Sequence, residues 1–495
     1  MEETQKHKYR QVFKATSIFG GVQVFSIIIG LVRSKFVAIL LGTSGYGLNG
    51  LLSAPLGLIG NLTGMGIGYS AVRDISLANE SGDTQKLARA LTVLRQWAWV
   101  TGLLGMVVTL VMSPWLSQWS FGNRNYTWSF IWLSVTLLLA AISSGQTAVL
   151  RGTRRIKETA TAGVIGSVLG LFTAIPLFYL YGIDGIVPSL ILSATTTLLL
   201  SWWFSRKVVV PSVEITFKES FHAGKQMAQM GIMITLSGMI TQLVTSGVNI
   251  FISRYGSMDD VGLYNAGWGI TNQYVGLVFA AMGADYYPRL SGLSNDLKKM
   301  AEAVNQQAEI ALLILGPVMI LYLTSLPLLI RLLYTPAFLP ILLFAQWVVL
   351  GMLFKAQTWA MGFMFLAKGD SKLFLYSEIA ANILILSLNI GCYALWGLEG
   401  MGISFTLSYG LYAFIVYLLV RTKYNYLPGK PLITIFAVQQ TMAIVAFLVA
   451  WKFGFPVAYY SGAICLAVSV VYSLYEMNKR IDLKSFAQNK LSKFK

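Results

Sequence analysis

"IIIGLVRSKFVAILLG", residues 27–42, is an apolar run that carries two cations, Arg33 and Lys35. A soluble core does not hold such charges unpaired, and a cation at the centre of a lipid-facing helix costs about 2.5–3.5 kcal/mol on insertion scales. The surroundings decide what kind of protein this run belongs to. The chain of 495 residues is 56% hydrophobic and only 12% charged, with a mean hydropathy of +0.65. A soluble protein of this size carries about 25% charged residues. Apolar runs long enough to cross a bilayer as a helix recur throughout, near 15–42, 46–71, 97–119, 128–150, 159–181, 185–205, 227–253, 262–285, 307–334, 338–367, 373–395, 400–420, 432–453 and 456–476. The expected fold is an all-α polytopic membrane protein of about fourteen transmembrane helices.

The net charge of +17 invites a nucleic-acid reading, which the positions of the cations exclude. With the N-terminus placed inside, about thirty of the Lys and Arg residues fall in cytoplasmic segments, which is the positive-inside bias. The basic composition therefore reports topology, with both termini cytoplasmic. Cys392 and Cys465 both lie in expected spans, and the only histidines are His7 and His222. Neither a disulfide framework nor a metal site is expected from them. The first apolar segment lacks a cleavage-like end and is expected to be retained as a span.

The chain is duplicated. "GYGLNG" (45–50) is echoed by "VGLYNAG" (261–267), and "GYSAVRDIS" (68–76) by "DYYPRLSGL" (285–293). "QKLARA" (85–90) pairs with "KKMAEA" (298–303), and "LRGTRR" (150–155) with "AKGDSK" (367–372). The separations are 215, 216, 213 and 217 residues for Gly47/Gly262, Arg73/Arg289, Ala88/Ala301 and Gly152/Gly369. Six spans per copy is an even number, so both copies start on the same side, as parallel repeats around a central path do. The expected organisation is an N-terminal six-helix bundle (1–213), a C-terminal six-helix bundle (214–425) with a central cavity, and two additional helices with a basic cytoplasmic tail (426–495).

Other local features carry expectations. Leu87, Leu91 and Leu94 share one face of a stretch whose other face holds Lys86, Arg89 and Arg95, which reads as a helix lying at the lipid headgroups. The tail reads the same way through Leu483, Phe486 and Leu491, or else as a solvated basic tail. Gly60, Gly64 and Gly68 form a small-residue ladder suited to close helix packing. Pro55, Pro176 and Pro317 sit within spans and are expected to bend them.

The chemistry lies with the charges inside the spans. Arg33, Lys35 and Lys355 are expected to face a hydrated cavity or a partner, because lipid would penalise them. Lys35 is nearer the outer end, where its stem can snorkel to the interface. Deep acids are scarce: Glu309 and Glu378 are shallow, and Asp285 is spaced to pair with Arg289. A cavity lined by Arg and Lys suits an anionic, phosphate-bearing ligand. Asn61, Gln357 and Asn272, with Gln23, Asn249, Asn265 and Gln273, could bond sugar hydroxyls. Glu378 is the candidate for coupling or gating. No cofactor is expected; proton or ion coupling and downhill flipping both remain open.

The stretches "DDVGLYNAGWGITNQYVGLVFAAMGADYYPRLSGLS" (259–294) and "FAQWVVLGMLFKAQTWAMGFMFLAKGDSKLFLYSEI" (344–379), with "LGTSGYGLNGLL" and "GMGIGYSAVRDIS" in the first half, resemble bacterial O-antigen translocases. These are lipid-linked oligosaccharide flippases of the multidrug/oligosaccharidyl-lipid/polysaccharide exporter superfamily, and the resemblance covers about residues 15–425. It implies alternating access that passes an undecaprenyl-pyrophosphate-linked glycan across the bacterial inner membrane, with Arg33 and Lys355 holding the pyrophosphate. Membrane lipid and polysaccharide polymerase machinery are the other partners it implies, and no nucleic acid is among them. The extra pair of spans departs from the usual twelve and resembles the lipid II flippases. Two alternatives stand beside it. A drug/cation antiporter would need deep acids that spans 1 to 6 lack, and a membrane-embedded polymerase or glycosyltransferase would need an acidic catalytic cluster.

Overall fold

Gly42, at the end of the opening run, is where the first helix breaks. The computed structural model describes residues 2–208, 211, 213, 215–293 and 295–481. Among these residues there are thirteen α-helices and no strand. They are α1 (Glu2–Gly64), α2 (Ile67–Glu80), α3 (Thr84–Phe121), α4 (Thr127–Gly152), α5 (Ile156–Tyr181), α6 (Ile186–Ser205), α7 (Phe217–Tyr255), α8 (Met258–Gly292), α9 (Leu297–Leu333), α10 (Ile341–Ala367), α11 (Ser371–Tyr424), α12 (Lys430–Phe453) and α13 (Phe455–Ile481). Both α1 and α11 are two rods in sequence, interrupted at Gly42 (φ 67°, ψ −166°) and Gly397 (φ 58°, ψ −138°). Only glycine reaches those conformations without a Cβ clash. Counting each broken helix twice and setting the short α2 aside gives the about fourteen rods expected from the apolar runs. Nine described stretches are long and apolar enough to cross a membrane. The protein is an all-α polytopic membrane protein.

Packing divides the chain into two compact units, residues 1–262 and 263–495. In the first unit α7 packs on α1, α2 and α3. One core cluster joins Val37, Leu41, Leu48 and Leu52 of α1 to Phe130 and Leu133 of α4 and Ile186 of α6. A second joins Ile67 and Ile75 of α2 to Leu87, Leu91 and Leu94 of α3, with Val149 and Met227. This corrects the headgroup reading of Leu87, Leu91 and Leu94. They begin the long helix α3, and their apolar face is covered by α2, α4 and α7 rather than by lipid. The glycine ladder is corrected in part, since only Gly68 makes the close packing expected, against Ser144 of α4. Nothing stands within 4 Å of where a side chain would begin on Gly60 or Gly64, so these glycines border open space. The helix itself breaks before Gly68, at Met65 (φ 48°) and Gly66 (φ 60°). The tail residues Leu483, Phe486 and Leu491 lie outside the described residues.

The duplication is written into the backbone. Asp83 caps α3 by accepting from the amides of Gln85 and Lys86, and Asp296 caps α9 by accepting from that of Lys299. Arg155 N donates to Leu150 O at 2.8 Å, and Asp370 N donates to Phe365 O at 2.8 Å. Each bond closes the end of a helix over a left-handed residue, Arg154 (φ 55°) and Gly369 (φ 73°). That geometry pairs Arg154 with Gly369 and moves the register of this echo from 217 to 215 residues. A further pair emerges in "YGIDGIVPS" (181–189) and "WGLEGMGIS" (396–404). Gly182 (φ 55°, ψ −128°) and Gly397 break the chain alike, and Gly185 and Gly400 press against the carbonyls of Leu177 and Cys392. Within the first unit Gly47 and Gly262 meet reciprocally. A Cβ on Gly47 would strike the oxygen of Met258, and one on Gly262 that of Thr43.

In the second unit α9 packs against α10, α12 and α13, so the two extra helices belong to its core. Gln439 of α12 donates to Ser473 Oγ (2.8 Å) and accepts from Ser469 Oγ (2.6 Å) of α13, in the space that Gly316 leaves on α9. Glu309 is buried and accepts from Arg480 Nε at 2.7 Å, which pins the end of α13 to α9.

Candidate functional site

Arg33 lines a cavity of about 490 Å³ inside the first unit. Four helices form its walls, with Arg33 supplied by α1. Ala140, Ser143, Ser144, Thr147, Ala148 and Arg151 come from α4, and Leu190, Ser193, Ala194 and Thr197 from α6. On α4 the spacing Ala140, Ser144, Thr147, Arg151 follows the helical repeat, so these residues share one face. The α6 residues repeat at three and four in the same way. Gly68 and Tyr69 of α2 close one side, and Gly68 lies so near Ser144 Oγ that a side chain there would collide with it. A second cavity of about 420 Å³ shares Gly68, Tyr69, Ala140, Ser144 and Ala194 and runs on to Asn61, Gly60 and Gly64. Arg33 and Asn61, far apart on α1, thus border adjoining space.

The electrostatics are one-sided. No Asp or Glu lines either cavity, and among the described residues neither Arg33 nor Arg151 has a carboxylate within salt-bridge distance. Lys35 is half-buried on the same rod and does not line the Arg33 cavity. A guanidinium in such a place needs an oxygen-rich partner, and the hydroxyls of α4 and α6 present only weak acceptors.

Lys355 sits in the second unit on α10. Its Nζ lies 5.9 Å from the Phe405 ring centre and 5.4 Å from that of Tyr409, both on the second rod of α11. Aromatic faces stabilise a desolvated ammonium by about 0.5–2 kcal/mol. Gln357, two residues on, points elsewhere. It lines a separate cavity of about 250 Å³ with Phe414, Tyr417, Tyr426 and Pro428. Tyr412 donates to Glu378 Oε1 at 3.2 Å, which joins the two rods of α11. The side chains of Asn272, Gln23, Gln273 and Asp285 lie outside the described residues, and Arg289 donates to Gln307 Oε1 at 2.9 Å. The structure therefore brings Arg33 toward Asn61 and separates Lys355 from Gln357. Arg151, Ser144, Thr147 and Ser193 were missed by sequence reasoning, although "SSGQTAVLR" (143–151) carries the common face of the first three. Arg151 was absorbed into the count of cytoplasmic cations. No group of three His, Cys, Asp or Glu residues that could hold a metal occurs among the described residues.

Helices in this arrangement share the fold of solved membrane transporters. A lipid II flippase solved in an inward closed conformation matches with a TM-score of 0.71 at 15% identity, covering 93% of this chain and 99% of its own. An inward-facing multidrug resistance MATE family transporter of the MOP superfamily matches with a TM-score of 0.67 at 16% identity, over 81% and 94%. The family model for polysaccharide biosynthesis proteins matches residues 36–343, and the chain belongs to that family. A lipid III flippase of Escherichia coli (strain K12) is 21% identical over 368 residues, which is 72% of this chain and 85% of the relative.

Proposed function

We propose that this protein is a flippase that moves an undecaprenyl-pyrophosphate-linked oligosaccharide, an O-antigen or related surface polysaccharide unit, from the cytoplasmic to the periplasmic leaflet. The observation that carries the reading is Arg33: a cation within a membrane-spanning helix, bordering a hydroxyl-lined cavity that no carboxylate enters. Such a cavity favours an anion and opposes an organic cation, which separates the reading from drug/cation antiport. The flippase named among the relatives supports the lipid-linked class of substrate.

In this reading the pyrophosphate leaves water only where guanidinium nitrogens replace its hydration, since an unpaired diphosphate would meet a large desolvation cost. Arg33 supplies that replacement at membrane depth, Asn61 offers an amide to the sugars, and the polyprenyl tail stays in lipid. Lys355, braced on Phe405 and Tyr409, supplies a second cation, and Glu378 with Tyr412 is the element that couples or gates. The protein works in the bacterial inner membrane with both termini inside, beside the polymerase machinery that consumes its product.

The test is genetic and chemical. Deleting the gene should make a lipid-linked oligosaccharide accumulate on the cytoplasmic side. Arg33→Ala or Lys355→Ala should abolish surface polysaccharide while the protein stays in the membrane. Normal export by both variants, or a deletion whose only effect is altered drug susceptibility, would refute the proposal.

A further inference from the structure

We infer that the first unit holds a two-arginine seat for the diphosphate itself, with Arg33 at one end, Arg151 at the other and Ser144, Thr147 and Ser193 between them. This rests on the flippase reading and names the subsite within it. Arg33 is nine residues before the break at Gly42, about 14 Å along the helix and so close to mid-bilayer. Arg151 stands one residue before the end of α4, on the side of the positive-inside segments. The one cavity that both residues line therefore runs from the cytoplasmic edge toward the membrane centre.

The plainer account is that Arg151 is one more cytoplasmic cation and that the hydroxyls glue helices together. Hydrogen bonding argues against it. Serine and threonine in membrane helices usually donate back to the carbonyl one turn earlier, as Thr101, Thr109, Thr173 and Thr195 do here. Among the described residues the hydroxyls of Ser144, Thr147 and Ser193 have no such bond and line the cavity. Ser143 and Thr197, beside them, are joined through a bond from Ser143 Oγ to Thr197 O at 3.5 Å. The seat thus offers two permanent positive charges, one on the half-buried Arg33 and one on the exposed Arg151, and a row of uncommitted donors. A diphosphate diester carries one negative charge on each phosphorus, so its charge matches this pair, and guanidinium forks bind its oxygens two at a time. A monophosphate would satisfy one arginine and leave the other unpaired.

Full-length protein in nanodiscs of zwitterionic lipid, read by native mass spectrometry, tests this with undecaprenyl diphosphate against undecaprenyl monophosphate. Wild type should prefer the diphosphate by about tenfold or more. Arg151→Gln should erase that preference, Arg151→Lys should keep part of it, and Thr147→Val should lower it less. Arg124→Gln, on the other face of the membrane, should leave it intact. Arg151→Lys and a thermal melt of each variant guard against misfolding. An unchanged preference in Arg151→Gln overturns the seat. So does displacement of the diphosphate probe by equimolar cardiolipin, which would mark a phospholipid headgroup site. Either result leaves the flippase reading standing if the oligosaccharide still accumulates in the deletion strain, and absence of that accumulation sinks the reading on its own.

Discussion

At the 215-residue offset Ala140, Leu190 and Ala194 of the first unit correspond to Lys355, Phe405 and Tyr409 of the second. In the first unit the three line the cavity beside Arg33. In the second the same positions carry an ammonium and the two rings beneath it. The remaining positions diverge as well: Ser144, Thr147 and Arg151 correspond to Trp359, Gly362 and Leu366. Caps, helix breaks and close glycine contacts were kept in both copies, while the facing surfaces of α4 with α6 and of α10 with α11 were rewritten. The backbone motifs answer requirements that any copy must meet, namely unpaired amides and φ angles forbidden to a Cβ. Side chains facing an interior space answer only to what that space must hold. One copy therefore keeps an open cavity lined by arginines and hydroxyls, and the other keeps a cation braced on aromatics.

The sharpest way to break this comparison is to write one copy into the other. Ala140→Lys with Ala194→Tyr gives the first unit two of these three side chains of the second and fills the Arg33 cavity. Surface polysaccharide should fall below about 1% of wild type, a barrier change near 2.7 kcal/mol, with membrane levels unchanged. Normal export would mean that the first cavity is idle space. A smaller effect is expected at the shared helix breaks. Gly182→Ala and Gly397→Ala each place a Cβ in a conformation costing about 1–3 kcal/mol, so both should lower the melting temperature, and by similar amounts. A large drop at one position alone would refute their equivalence.

The smallest effect is expected at the caps. The backbone amides of Lys86 and Lys299 hold the carboxyls of Asp83 and Asp296 below the usual carboxylate range. A depressed folded-state pKa means that the capping contribution is present at neutral pH and is lost as pH falls below about 4. Asp83→Asn should speed amide exchange in the first turn of α3, and Asp296→Asn in that of α9, with each difference shrinking at pH 3. Response by one helix alone would show that the caps are not counterparts.

Much of the fold was legible before any coordinates. Long apolar runs fix the spans because a bilayer leaves backbone groups no partner except their own helix. The Gly47/Gly262 echo was also visible, because a glycine at a close approach cannot drift. The pair 181–189 and 396–404 escaped notice since it lies where a span boundary was drawn and few of its side chains match. The site was legible only in part. Arg33 and Lys355 stood out as cations in apolar surroundings, whereas Arg151 looked like every other cytoplasmic cation. Gln357 was grouped with Lys355 by sequence proximity, although two residues along a helix turn the side chain about 200°.

The amino-acid order by itself determined a membrane chain of duplicated helices with few acids at depth, because hydropathy, charge bias and glycine spacing act within one helix or one turn. Tertiary structure decided what covers each face: protein over Leu87, Leu91 and Leu94, open space beside Gly60 and Gly64, a cavity between Arg33 and Arg151, rings under Lys355. Those outcomes depend on which distant helix arrives opposite. An amphipathic pattern states that a face needs a partner without saying whether lipid, protein or ligand supplies it.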